Sequence, residues 1–348
     1  MNRARLSTHG GLTRRAFLGA AAGALALGVP LSSCRRRPSP NECVVQLNWI
    51  LDAEYAGSYV AIERRYYTAR GVTTVLVPGG PNVAVPVRVV SRDALIGISS
   101  PDLVAAANAQ GADLRIVGAV YQKSPFAIMS LVRTPIRTPG DMLGKRVGVQ
   151  AKDDVLWRAF LAVNRLPPER ITRVVAGFDP APLVSGEVDA WLSYATNEPL
   201  ALSLQGVETV TFLLHDHGYP MLQQVYVTAA RNLLDPATRA TLVGFLGGDI
   251  AGWRDALAEP DIGARLAVDK FGHDLGLDPR HQRLLARKQI DFIRSEDTRR
   301  EGLLWMSDSA IGATLASLRA GGVTLERPVF TRELLDEVYA HEPGLREA

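Results

Sequence analysis

Cysteine is scarce in this chain: Cys34 and Cys43 are the two in 348 residues. No Cys-x-x-Cys pair and no Cys/His cluster with zinc spacing occurs, so a disulfide-stapled scaffold and a zinc-built one are excluded. A surplus of charge is missing too. The formal net charge of +3 arises at the N-terminus, where Arg3, Arg5, Arg14 and Arg15 stand in the first 33 positions without an acid. Removing those four leaves 35 basic and 36 acidic residues, a balance that implies no nucleic-acid surface. The N-terminal apolar run, residues 20–31, is about a dozen long, short of the ~20 needed to span a bilayer.

What is present at that end is a leader. A twin arginine in "TRRAFLG" (13–19) precedes the Ala/Gly-rich run, which exits at "LSSC" (31–34). The basic flank and small-residue exit read as a signal peptide over 1–33. The exit looks like a lipobox, with Cys34 as the lipidated residue. "RRRPSPNE" then reads as a tether over 34–43 between the membrane surface and the folded body. The expectation is an exported protein anchored at the outer face of the cell membrane.

From residue 44 the chain alternates strand and helix. Strands are expected at 44–48, 72–77, 94–98, 114–119, 146–150, 172–176, 188–193 and 207–214. Helices are expected at 55–69, 101–110, 153–164, 181–186 and 197–205, several closed by a glycine. Such alternation predicts an α/β fold with mostly parallel sheets. From Pro236 the pattern is mainly helical, with breaks at Pro260, Pro279 and Gly321-Gly322. Two apolar, extended runs, 124–132 and 223–230, bracket the second α/β block. If both cross between lobes, they form a two-strand hinge with lobe I at 44–128 and 224–348, lobe II at 129–223, and a cleft between.

The order and wording of "NWILDAEYAGSYVA" (48–61), "VPGGPN" (77–82), "IGISSPDLVAAANAQG" (96–111), "DMLGKRVGVQ" (141–150) and "GEVDAWLSYATNEP" (186–199) resemble the NMT1/THI5-like group of ABC-transporter substrate-binding proteins. The resemblance covers roughly residues 44–230 and implies a periplasmic-binding-protein-like fold, two lobes closing on a small ligand, and delivery to an ABC permease and its ATPase. It implies no cofactor and no reaction in this chain, which is expected to act as a monomer. Thiamine pyrimidine precursors, aliphatic sulfonates, nitrate and riboflavin are ligands of that group.

In open α/β sheets ligands bind outside the carboxyl ends of strands. Here those ends carry Trp49, Asp52 and Tyr55, then Ser99, Ser100 and Asp102, then Tyr121, Lys123 and Ser124. In the second block they carry Gln150, Asp153, Asp154 and Trp157, then Tyr194, Asn197 and Glu198. Asp153 and Asp154 read as a cap and a solvated side chain; the others, Lys123 and Gln150 apart, are the candidate ligand residues. Rings and carboxylates suit a flat, amine-bearing heterocycle; an anion would call for Arg, Lys or bare helix N-termini. A thiamine-type pyrimidine is therefore the expected ligand, with riboflavin, sulfonate or nitrate as alternatives. "HDH" (215–217) lacks a third metal ligand nearby and reads as a surface loop. An enzyme is disfavoured: "GISSP" (97–101) misses the nucleophile elbow at Pro101, "PGGP" (78–81) lacks nucleotide-loop spacing, and the cysteine cluster of the group's pyrimidine synthases has no counterpart.

Overall fold

Short apolar runs separated by helices resolve into two five-stranded sheets among the described residues. The computed structural model describes residues 41–80, 82–323 and 328–347. The leader, its twin arginine and Cys34 lie outside the described residues. Glu42 and Cys43, placed in the tether on composition, instead open the first strand, in register with Thr73 and Thr74.

The first sheet holds β1 (Glu42–Gln46), β2 (Thr73–Val77), β3 (Ile96–Ser99), β4 (Leu114–Tyr121) and the last strand of the chain, β10 (Gln223–Ala229). The second holds β5 (Phe126–Leu131), β6 (Arg146–Gln150), β7 (Thr172–Ala176), β8 (Ala190–Tyr194) and β9 (Thr209–Leu213). Their orders, β2-β1-β3-β10-β4 and β7-β6-β8-β5-β9, repeat one pattern. In each sheet the fourth strand alone runs antiparallel, and it is the strand that enters from the other sheet. The chain therefore passes between the sheets twice, from β4 to β5 and from β9 to β10. The expected division at 128/129 falls inside β5, which belongs wholly to the second sheet.

Helices α1 (Ala56–Glu63), α2 (Val85–Val90), α3 (Pro101–Ala109), α4 (Asp154–Val163), α5 (Ala181–Ser185) and α6 (Glu198–Leu204) connect the strands. The helix expected over 55–69 stops at Glu63, two residues before Arg65 takes φ +58°, outside helical space. Helix α2 goes beyond the sequence reading. Its Val-rich "VPVRVV" has the composition of a strand, but Pro86 in the first turn favours a helix start.

The small residues that open α1 serve packing. A Cβ on Gly57 would come within 2.3 Å of the Trp253 ring, and one on Gly252 within 2.1 Å of the Gly57 carbonyl. Backbone contact at this crossing seats α1 on α7 (Pro236–Ala258). Further along lie α8 (Pro260–Leu266), α9 (Pro279–Lys288), α10 (Asp308–Ala320) and α11 (Glu333–His341). Pro260 and Pro279 open α8 and α9 rather than only ending what precedes them. Most of this helical region covers the first sheet, whose core includes Tyr59 stacked on Phe271 at 4.2 Å. Helix α10 departs from that rule: Leu318 joins the second sheet's core beside Phe160.

Candidate functional site

The carboxyl ends of β1, β3, β6 and β8 converge on a cavity of about 360 Å³. From the first sheet's side it is lined by Asn48 and Trp49 after β1, Glu54, the Asn82–Val85 turn into α2, Ser100 and Leu103 at the start of α3, and Gln223. From the second come Phe126, the Gln150–Asp153 segment, Leu192 to Tyr194, Asn197 and Glu198. The volume lies at the small end of the ~300–1,000 Å³ usual for ligand pockets.

Five of the twelve expected ligand residues meet there: Trp49, Ser100, Tyr194, Asn197 and Glu198. The other seven stand behind the wall or elsewhere, each for a local reason. Asp52 turns back to accept from the Glu54 amide at 3.0 Å, capping a one-turn helix. Tyr55 donates to the Asn48 side chain at 2.7 Å and accepts from the Trp49 amide at 2.9 Å, so it holds the lining loop from behind. Tyr121 donates to Gln289 at 3.1 Å. Ser124 accepts from the Phe126 amide, and Ser99 and Asp102 are buried beneath the cavity-lining Ser100. Trp157 sits in the second sheet's core, on the α4 face shared with Phe160 and Leu161. The "HDH" segment forms a single turn in which Asp216 pairs with Lys123 at 2.8 Å and His217 packs edge-on to Phe212.

Sequence reasoning passed over Asn48, Glu54, Asn82, Phe126, Gln150, Lys152 and Gln223, and it assigned Asp153 to a cap. Glu54 could have been found. Asx residues favour the N-cap two before a free amide, so in "DAE" the Asp turns inward and the Glu is left to face the cavity. Asp154 fits the solvated reading, pairing with Arg173 and Arg158. Asp153 lines the cavity and binds Lys152 at 2.9 Å.

Two neighbours in β10 serve the site together, against the alternation of a strand. Gln223 lines the cavity, while Gln224 donates to Glu54 Oε2 at 3.0 Å. Gln224 has φ +48°, a left-handed conformation uncommon outside glycine. That kink lets consecutive side chains serve one site.

Rings frame the chamber. Tyr194 meets Phe126 edge-on at 4.8 Å, and Trp49 meets Phe178, beyond β7, at 4.9 Å. Burial dominates the electrostatics. Glu54 and Glu198 are 4% and 8% exposed. Burial, followed by the Asp52 and Glu198 charges, pushes the Glu54 carboxyl well above its usual range. Burial also pushes Glu198 up to about 7, against the Tyr194 amide it accepts from at 2.8 Å. The Oε1 atoms of Gln150 and Gln223 are buried and find no donor among the described residues. Among the described residues, Lys152 is the one cation on the lining, and no arginine lines it. Chemically, the wall offers ring faces, carboxyl groups and amide and hydroxyl groups that can both donate and accept.

Comparison with known proteins agrees with this architecture. A riboflavin-binding protein, RibY, of Chloroflexus aurantiacus is 24% identical over 88% of this chain and 91% of its own. A formylaminopyrimidine-binding protein of Halalkalibacterium halodurans is 25% identical over 62% of this chain and 70% of its own. Among solved structures, the alkanesulfonate-binding protein SsuA of Xanthomonas axonopodis pv. citri, bound to MOPS, superposes with a TM-score of 0.59 at 20% identity, covering 84% of this chain and 97% of that one. The fold also serves catalysis, since the desulfurization enzyme DSZB superposes with a TM-score of 0.56 at 14% identity, over 86% of this chain and 99% of its own. The model of one family, described as NMT1/THI5 like, matches residues 52–262, and this chain belongs to that family.

Proposed function

We propose that this chain is the substrate-binding component of an ABC importer and that it captures a small, flat, N–H-bearing heterocycle, first of all a thiamine-type aminopyrimidine, by closing its two lobes. The observation that carries this reading is the chamber itself: ring faces and buried acceptors, with no arginine on the lining among the described residues. Ring nitrogens and amino groups supply the donors that the Gln150 and Gln223 Oε1 atoms lack, and can add to the single donors of Glu54 and Glu198. Two relatives bind nitrogen heterocycles by name, and the longer match supports riboflavin as the second reading. A sulfonate or nitrate fits poorly where the lining cation, Lys152, is already paired with Asp153. Cys43 is buried, its thiol pushed up by burial, and it is not among the residues that line the chamber.

Calorimetric titration with a thiamine-type aminopyrimidine, riboflavin, taurine and nitrate tests the ligand class. Losing a ring platform costs about 1 kcal/mol beyond lost area, and an unpaired buried donor costs ~1–3 kcal/mol. Trp49→Ala and Glu198→Ala should therefore each weaken the pyrimidine by about tenfold or more. Tight binding of taurine or nitrate, with none of the pyrimidine, would sink the reading.

The same proposal places the protein outside the cell membrane as a monomer, held by lipid at Cys34 and serving a permease and ATPase. Acyl chains add ~0.8 kcal/mol per buried methylene. Cys34→Ala should release the protein from membranes or block its processing, which fractionation and mass spectrometry detect. An unlipidated wild type in the cytoplasm would refute the anchor.

A further inference from the structure

The cation on the chamber wall is spent internally. Lys152 Nζ lies 2.9 Å from Asp153 Oδ1, 5.7 Å from the centre of the Trp49 ring and 5.9 Å from that of Phe126. Both ring distances are within the ~6 Å reach of a cation–π contact. Trp49 follows β1 of the first sheet, and Lys152 and Phe126 belong to the second, so this one ammonium group spans the cavity. Glu54 and Glu198 line the same space and feel its charge. Arg173, the nearest other cation to Asp153, is held by Asp154 at 2.6 Å.

We propose that the Asp153 carboxylate and the Trp49 and Phe126 rings form a cation subsite that sets specificity, with the Lys152 ammonium as its internal occupant: an organic cation can displace that occupant, so the site prefers a heterocycle carrying a free, protonated amine over its N-acylated or anionic counterparts. The proposal rests on the heterocycle reading above.

Lys152 can leave, and Asp153 cannot follow. The lysine side chain is 30% exposed on a flexible four-carbon stem, whereas that of Asp153 is 10% exposed. When the ammonium swings outward, a buried carboxylate and two ring faces stay behind. An unpaired buried carboxylate is costly, so departure is favourable when another cation takes the place. An N-acylated amine is neutral and cannot. An anion would need the ammonium freed from Asp153 and would then face Glu54 and Glu198.

The test is calorimetric titration of the chain with an aminopyrimidine bearing a free aminomethyl group and with its N-formyl derivative. Lys152→Met removes the competitor. It should tighten the free amine by about tenfold or more and leave the N-formyl compound within about threefold. Asp153→Asn removes the anchor and should weaken the free amine by about tenfold. Melting temperatures check that both variants fold. Weaker binding of both compounds by Lys152→Met would show the lysine contacting ligand directly, and would overturn the proposal. Equal, small effects on the two would overturn it as well, leaving the heterocycle reading in place. Failure of the wild type to bind either compound would overturn both.

Discussion

As pH rises from about 4.5 to above 7, the ligand-free protein should lose roughly 3 kcal/mol of unfolding free energy through Glu198 alone. Burial raises this carboxyl from its ordinary 4.5 to about 7, so the folded chain holds the proton more tightly than the unfolded one. A group raised in this way contributes stability that is fully present below about 4.5 and is lost as pH climbs through about 7. Asp52, also raised to about 7, chiefly by burial, has the same sign, and the Glu198 charge is one of its causes. Carboxylates held low by partners, such as Asp189 beside Arg146, lose their contribution only at more acid pH. Urea unfolding at pH 5 and pH 8 measures the difference. Glu198→Gln should remove its own share of the fall and leave the shares due to Asp52 and Glu54. An unchanged pH dependence in the variant would show that Glu198 is ionised throughout.

A second large effect is expected far from the chamber. Asp249 of α7 is fully buried in the first sheet's core. Its Oδ1 accepts from Ser58 Oγ at 2.7 Å and from the Tyr67 hydroxyl, and its Oδ2 accepts from the Tyr226 hydroxyl. These donors come from α1, from the turn after it and from β10, so one carboxylate ties the long helix to three parts of the first lobe. Asp249→Ala leaves three hydroxyls dry and opens a cavity, and should cost roughly 3–5 kcal/mol. Tyr67→Phe removes one donor and keeps the ring stacked on Phe245; it should cost about 1 kcal/mol. Denaturant midpoints at constant slope read both. A loss below about 1 kcal/mol for Asp249→Ala would mean the network adds little beyond packing.

The chamber and this network differ in how far the sequence exposes them. Trp49 and the Tyr194–Glu198 turn were legible because residues at and just beyond the carboxyl ends of parallel strands face the crevice in this fold class. The same rule overreached at Asp52, Tyr55 and Asp102, where a cap, a brace and a buried helix start use the residue types a ligand would want. It overreached at Trp157 too, because α4 turns that ring to the core together with Phe160.

By itself the sequence determined the alternation of elements, the proline and glycine positions that bound them, the small-residue face of α1 and the family. These are local: they follow from backbone preferences and from apolar periodicity within one element. The tertiary structure alone decided which side of the wall each acid occupies. It also brought Gln224, 170 positions along the chain, to Glu54, and set the Lys152 ammonium between rings of both sheets. Those outcomes depend on contacts between residues up to 170 positions apart, and on burial, which sets the cost of each charge only after the two sheets are in place.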